Sequence, residues 1–320
     1  MMGTNLLART AGPALEALER LERNLALVIR GKPEAIRRVL AAVLCRGHLL
    51  IEDVPGVGKT TLAQALARSL DLKFQRIQFT SDTLPSDIVG VSVWVEERAE
   101  FEFRPGPIFA NVVLADEINR AAPRTQSALL EATNERAVTI DGRRHQLPDP
   151  FLVIATQNPT ESVGTYPLPE SQLDRFLFRL KIGYPDAAAE RELLRGEGGE
   201  EALGTLGPVL SGAEVLELQR ALELVRVDEK ILDYVLALAR ATRTDAAFRL
   251  GASPRALRGL VRAARAEAMI SGRPFVTPDD VKSVAVPALA HRILLPGARG
   301  DGEREAAAIR RVLDELPVPR

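Results

Sequence analysis

From residue 48 onward, short apolar runs alternate with segments of helical spacing. The runs at 48–51, 74–79, 112–115, 151–155 and 177–182 predict strands, and 61–70 and 125–136 predict helices between them. Alternation of this kind predicts an α/β fold, a mostly parallel sheet with helices on both faces. Two stretches break it. Val91, Val93 and Val95, then Phe101 and Phe103, alternate around the charged tip Glu96-Glu97-Arg98-Ala99-Glu100, which predicts a hairpin within 90–109. A second hairpin is predicted where 137–140 and 145–147 flank Asp141-Gly142, with Arg143 and Arg144 beside the turn.

Upstream, Leu15, Leu18, Leu21, Leu25 and Val28 fall at helical spacing over 14–30, and Ile36, Val39, Leu40, Val43 and Leu44 mark a second amphipathic helix over 34–46. The link between them lies just before the first strand and is a candidate wall for a base pocket. After Tyr184-Pro185 strand-like runs stop and helices take over. Ser211 with Glu214 fits a capping box, and Ser253-Pro254 and Thr277-Pro278 each place an N-cap before a proline. The expected organisation is an N-terminal helix (1–27), an α/β domain (28–185) and an all-α domain with a tail (186–320). Within the last, 195–207 reads as a flexible connection and 303–314 as a terminal helix.

Composition narrows the class. With 320 residues, 46% of them hydrophobic and 27% charged, the chain has enough apolar material for a substantial core. Lys+Arg 42 against Asp+Glu 43 leaves a net charge of -1, which argues against bulk nucleic-acid binding while allowing a local basic patch. The single cysteine, Cys45, sits in an apolar stretch and reads as a buried thiol; His48, His145 and His291 have no metal-ligand spacing. The N-terminus lacks a signal-peptide pattern and no apolar run reaches bilayer length, so a cytoplasmic protein without membrane insertion is expected.

The chemistry centres on Asp53-Val54-Pro55-Gly56-Val57-Gly58-Lys59-Thr60-Thr61, between the first strand and the first helix of the sheet region. Gly56 and Gly58 let backbone N–H groups approach a polyphosphate, Lys59 supplies a point charge, and the Thr60 hydroxyl can reach magnesium. Asp53 stands where the general pattern has its first glycine. The run at 112–115 ends in Asp116 and Glu117, a carboxylate to hold magnesium and one to position water or act as base. Asn158, at another strand tip, can hydrogen-bond the attacking water or terminal phosphate, although asparagine before proline is also turn chemistry. Arg175 and Arg255 are candidate phosphate-directed guanidinium groups that composition alone does not separate from surface arginines.

In this order, DVPGVGKTT, ADEINRAAPRTQSALLEATNERAVTIDG, FLVIATQNPTESVGTYPLPESQLDRFLF and GASPRA resemble the MoxR branch of the AAA+ ATPases, over about residues 28–293. The resemblance implies a P-loop nucleotide-binding domain with a helical lid, and ATP with Mg2+ at the interface of a homo-oligomeric ring, usually a hexamer. By position it gives Pro55, Gly56, Val57, Gly58, Lys59, Thr60 and Thr61 to nucleotide binding and Thr60 and Asp116 to the metal. Glu117 becomes the catalytic carboxylate, Asn158 the first sensor, Arg175 the arginine finger and Arg255 the second sensor, in cis or in trans. Arg120, Arg124 and Arg136 are rival fingers. It further implies a chaperone-like task on client proteins that often carry von Willebrand factor A domains, including insertion of cofactors. The alternative is a nucleic-acid motor or loader, supported by Arg143 and Arg144 alone. A sigma-dependent activator would need a GAFTGA loop, which is absent, and a nucleotide-binding scaffold would leave Glu117 idle.

Overall fold

A computed structural model describes residues 2–159, 164–297 and 302–319, with side chains from residue 12. Residues 160–163, inside the third motif quoted above, lie outside the described residues. Two helices, α1 (Met2–Val28) and α2 (Pro33–Leu44), precede β1 (His48–Glu52), α3 (Lys59–Ser69), β2 (Phe74–Gln78) and a short α4 (Pro85–Val89). The first hairpin is β3 (Gly90–Val95) and β4 (Glu100–Pro105). After it come β5 (Val112–Asp116) and α5 (Pro123–Glu135), then the second hairpin, β6 (Ala137–Ile140) and β7 (Arg143–Gln146). The sheet region closes with β8 (Leu152–Gln157), α6 (Glu170–Leu173) and β9 (Phe176–Leu180). Among the described residues, helices with two isolated β-bridges follow: α7 (Ala187–Leu194), α8 (Gly199–Leu203), α9 (Gly212–Leu222), α10 (Glu229–Thr244), α11 (Pro254–Ile270), α12 (Pro278–Leu289) and α13 (Glu303–Glu315).

The main sheet has the order β2-β5-β8-β1-β9, every pair parallel. Side chains alternate across it. Leu49 and Ile51 enter one core with Leu40, Leu66 and Leu260, whereas Leu50 enters the other with Val113, Val153 and Leu129. Both faces are therefore covered, which accounts for strands reading as unbroken apolar runs. Register pairs Gln78 with Asp116 and Glu52 with Gln157, so the carboxyl ends of four strands come level at one edge. Chain order reverses about β1, the crevice where open α/β sheets bind ligands.

Sequence signals place most helix starts. Ser211 and Glu214 form the capping box of α9, and the Ser253 hydroxyl accepts from Ala256 N–H at the start of α11. The first helix starts ahead of the leucine spacing that marks it, in keeping with an N-terminal helix over 1–27, whereas residues 195–207 differ from the connection expected there. Helix α1 runs unbroken from Met2 through Pro13 and buries Leu18, Leu21, Leu25 and Val28 in the same core as α2, α3 and α11. Residues 195–207 carry α8, whose Leu203 is buried beside α3 while its carbonyl accepts from Arg68. One leucine among glycines and charges carries no periodicity, so the sequence alone does not reveal that helix. Among the described residues, no helix is long and apolar enough to cross a membrane.

Candidate nucleotide site

A cavity of about 850 Å³ opens at the carboxyl edge of the sheet. Its floor is the turn from β1 into α3. Gly56 (φ 83°) and Gly58 (φ 87°) both occupy the left-handed region, which a side chain disfavours. A Cβ on either would meet nothing within 4 Å, so the requirement for glycine is one of backbone conformation and of the open space above. Gly58 is the N-cap of α3, leaving that helix's first N–H groups and its positive dipole end directed at the cavity. Lys59 donates from Nζ to the carbonyl oxygen of Asp53 at 2.7 Å.

The wall opposite is carboxylate chemistry held by neighbours. Buried Thr156, on β8, donates its hydroxyl to Asp116 Oδ1 (2.6 Å) and accepts the Glu117 N–H (2.9 Å). Arg76, on β2, donates through Nε and Nη2 to Asp116 Oδ2 (3.0 and 2.6 Å). Glu117 stands at φ 57°, costly for a side-chain-bearing residue, and its Oε2 accepts from Gln78 Nε2 (2.8 Å) and Arg120 Nη1 (3.1 Å). Buried Asn158, just past β8, lines the same cavity. The far end is apolar: Val28, Ile29, Ile182, Tyr184, Leu193 and Leu194, with Arg30 and Lys32 from the α1–α2 link.

The structure thus brings Gly56, Gly58, Lys59, Thr60, Asp116, Glu117 and Asn158 to one cavity, and Pro55, Val57 and Thr61 line it too. It does not bring Arg175 or Arg255 there. Arg175 Nη1 donates to the Leu130 carbonyl (2.6 Å), and Arg255, exposed, donates to Asn134 Oδ1 one turn further along α5. The Arg175 Nε is buried without a hydrogen-bond partner, and burial, then the nearby Arg255 charge, push its pKa down. Next to it, Asp174 accepts from Ser253 Oγ (3.2 Å) and pairs with buried Arg292 (3.5 Å), fixing this segment to the start of α11. Arg120, a rival finger by sequence, is instead engaged with Glu117 of its own chain. Sequence reading missed Thr156, Arg76 and Gln78 as site residues. Each sits on a strand whose pattern registers only burial or exposure, and the partners are far away in sequence.

Comparison with known proteins accords with this geometry. Residues 48–178 match the family model of the ATPases associated with various cellular activities, and 240–312 match the AAA lid domain. The chain is 41% identical to chaperone MoxR1 of Mycobacterium tuberculosis, over 96% of this chain and 83% of that protein. The chain is a MoxR-family AAA+ ATPase. Other members of the MoxR family align over similar lengths: protein YeaC of Bacillus subtilis at 47% identity (95% and 94% of the two chains) and protein MoxR of Methylorubrum extorquens at 31% (95% and 96%). A crystal structure of a candidate ATPase from Cytophaga hutchinsonii superposes with a TM-score of 0.88 at 35% identity, covering 100% of both chains. This MoxR-family protein accordingly binds nucleotide and hydrolyses ATP, on an AAA+ core followed by an AAA lid.

Proposed function

We propose that this MoxR-family ATPase acts as a ring: each 850 Å³ cavity takes ATP and is completed by Arg175 and Arg255 of a neighbouring copy. The observation that carries this reading is the separation of the two arginines from their own chain's cavity, side by side along α5 with a buried, unpartnered Nε. Two guanidinium groups held together against their mutual repulsion are suited to an anion from outside the chain. The ring is expected to be a hexamer, at work in the cytoplasm.

Oxygen donors are what a hard cation takes, and no group of three or more His, Cys, Asp or Glu able to hold a metal exists among the described residues. Thr60 and Asp116, both in the cavity wall, are the oxygen donors that would hold a magnesium ion. When bound, it supplies charge neutralisation at the phosphates. The chain's own residues do the rest: the α3 N-terminus and Lys59 hold the phosphates, and Glu117 and Asn158 orient the attacking water. The apolar end receives the base, and Arg175 from the neighbour stabilises charge on the transferred group, an effect worth about 10³ to 10⁵ in rate.

Energy from turnover is delivered to a client protein through the two hairpins. Trp94 and Phe101, paired edge-to-face at 5.2 Å near the tip of the first, are both exposed. At its root Phe103 lies 4.0 Å from the His145 ring of the second, so the hairpins are in contact. Client maturation, on proteins that include von Willebrand factor A domains, is the task this favours. The acidic tip Glu96-Glu97 disfavours the nucleic-acid motor. Mixing tests the shared site: Glu117→Gln and Arg175→Ala subunits, each inactive alone, should regain ATPase activity together, and no recovery at any ratio refutes the trans finger. Glu117→Gln, loaded with ATP and incubated in extract from its own cells, should retain a protein client; retention of nucleic acid alone overturns the client reading.

A further inference from the structure

Asp53 is the residue at which this chain departs from the general phosphate-loop pattern, and its surroundings are unusually complete. The residue is 8% exposed. Oδ1 accepts from Val54 N–H at 2.9 Å, and Oδ2 accepts from Ile182 N–H at 2.7 Å and Gly183 N–H at 2.6 Å. The main-chain N–H donates to the Gln157 carbonyl, and the main-chain carbonyl receives Lys59. The β1–β9 ladder has its last pair at Ile51 and Leu180. Beyond that point the Asp53 carboxylate takes over the pairing, capturing the two N–H groups that the ladder no longer serves.

Those N–H groups belong to one end of the cavity and Asp53 to the other. Ile182 and Gly183 line its apolar end and lead through Tyr184 and Pro185 into α7, whereas Asp53 begins the loop that holds Gly56 to Thr60. From this we infer that Asp53 is a positioning residue that sets the spacing between the phosphate cradle and the base-binding wall, and that the general-pattern glycine would weaken rather than improve ATP binding here. The inference rests on the reading that this cavity holds ATP. A glycine at 53 supplies no acceptor, leaving the Ile182 and Gly183 N–H groups without their partner and the two ends free to drift apart. The Lys59 contact to the main-chain carbonyl is available to any residue at 53, so the cradle itself survives. A ligand that spans both ends loses affinity, and one that occupies the cradle alone does not.

The test is calorimetric titration of Asp53→Gly with Mg-ATP and with inorganic tripolyphosphate, alongside the unaltered protein and Lys59→Ala. The expected result is an ATP Kd raised about tenfold or more with the tripolyphosphate Kd within about threefold, and KM for ATP raised more than kcat is lowered. An unchanged ATP Kd, or equal losses for both ligands, overturns the inference. Lys59→Ala separates the underlying reading: loss of both ligands upholds the cavity as the ATP site, and normal binding of both refutes it whatever Asp53→Gly does. If Asp53→Gly fails to melt cooperatively, Asp53→Asn, which keeps one acceptor oxygen, is judged by the same ratio of losses.

Discussion

Thr156→Val removes one hydroxyl from the centre of the site with almost no change of shape, and the structure gives the size of the effect. Thr156 is fully buried and its Oγ1 bridges the two acidic residues, donating to Asp116 Oδ1 at 2.6 Å and accepting from Glu117 N–H at 2.9 Å. A hydrogen bond to a charged acceptor contributes about 1.5–3 kcal/mol, and a buried N–H left unpaired costs about 1–3 kcal/mol. Part of the second term is recovered if the N–H reaches water, so a net loss of about 2–5 kcal/mol is expected. At roughly 2 °C per kcal/mol for a chain of this size, melting falls by roughly 4–10 °C. Function is hit separately. Glu117 holds φ 57° only while its backbone is anchored, and displacement of its carboxylate by an ångström costs kcat on the order of 100-fold. ATP affinity, which the proposed site assigns mainly to Gly56 to Thr60, should change by less than about threefold. Thr156→Ser keeps the hydroxyl and should restore most of the activity. Scanning calorimetry and steady-state ATPase assays decide the matter: a valine variant with unaltered melting and kcat refutes the bridging role.

Three further outcomes are expected. Arg76→Ala frees Asp116 Oδ2 from a competing cation, so half-maximal ATPase activity should come at several-fold lower magnesium; an unchanged magnesium profile contradicts the competition. His48 accepts Val153 N–H at Nδ1 and faces the Thr133 carbonyl through Nε2, and burial lowers its pKa to about 4 from 6.5. The folded state therefore refuses a proton that the unfolded chain takes up. Its contribution is complete above pH 6.5 and fades as pH falls toward 4, by about 3 kcal/mol at most, which urea unfolding at pH 7 and pH 4.5 measures; equal stabilities refute it. Reversing Arg143 and Arg144 to glutamate should leave basal ATPase activity intact while abolishing its response to a client, and an unaltered response removes the second hairpin from the output path.

What the chain's order of residues settles by itself is everything carried by local chemistry. Strand and helix alternation, the two hairpins, the caps at Ser211 and Ser253, and the glycines of the phosphate loop follow from periodicity, side-chain hydrogen bonding and permitted φ values, each within a few neighbouring residues. Asp116 and Glu117 were legible because a strand of five apolar-to-acidic positions ends there. Contacts across the sheet were not. Thr156, Arg76 and Gln78 become site residues only when β2, β5 and β8 lie in register, and that pairing joins positions about 40 residues apart. Asp53 shows the difference most plainly. In sequence it is a glycine position filled by an aspartate; in three dimensions it accepts two N–H groups from a segment on the far side of β1, 129 and 130 residues away. Folding likewise decides that Arg175 and Arg255 both bond to α5 and not to their own chain's phosphate loop: Arg175 stands at the amino end of β9, whereas the cavity opens at the carboxyl edge of the sheet.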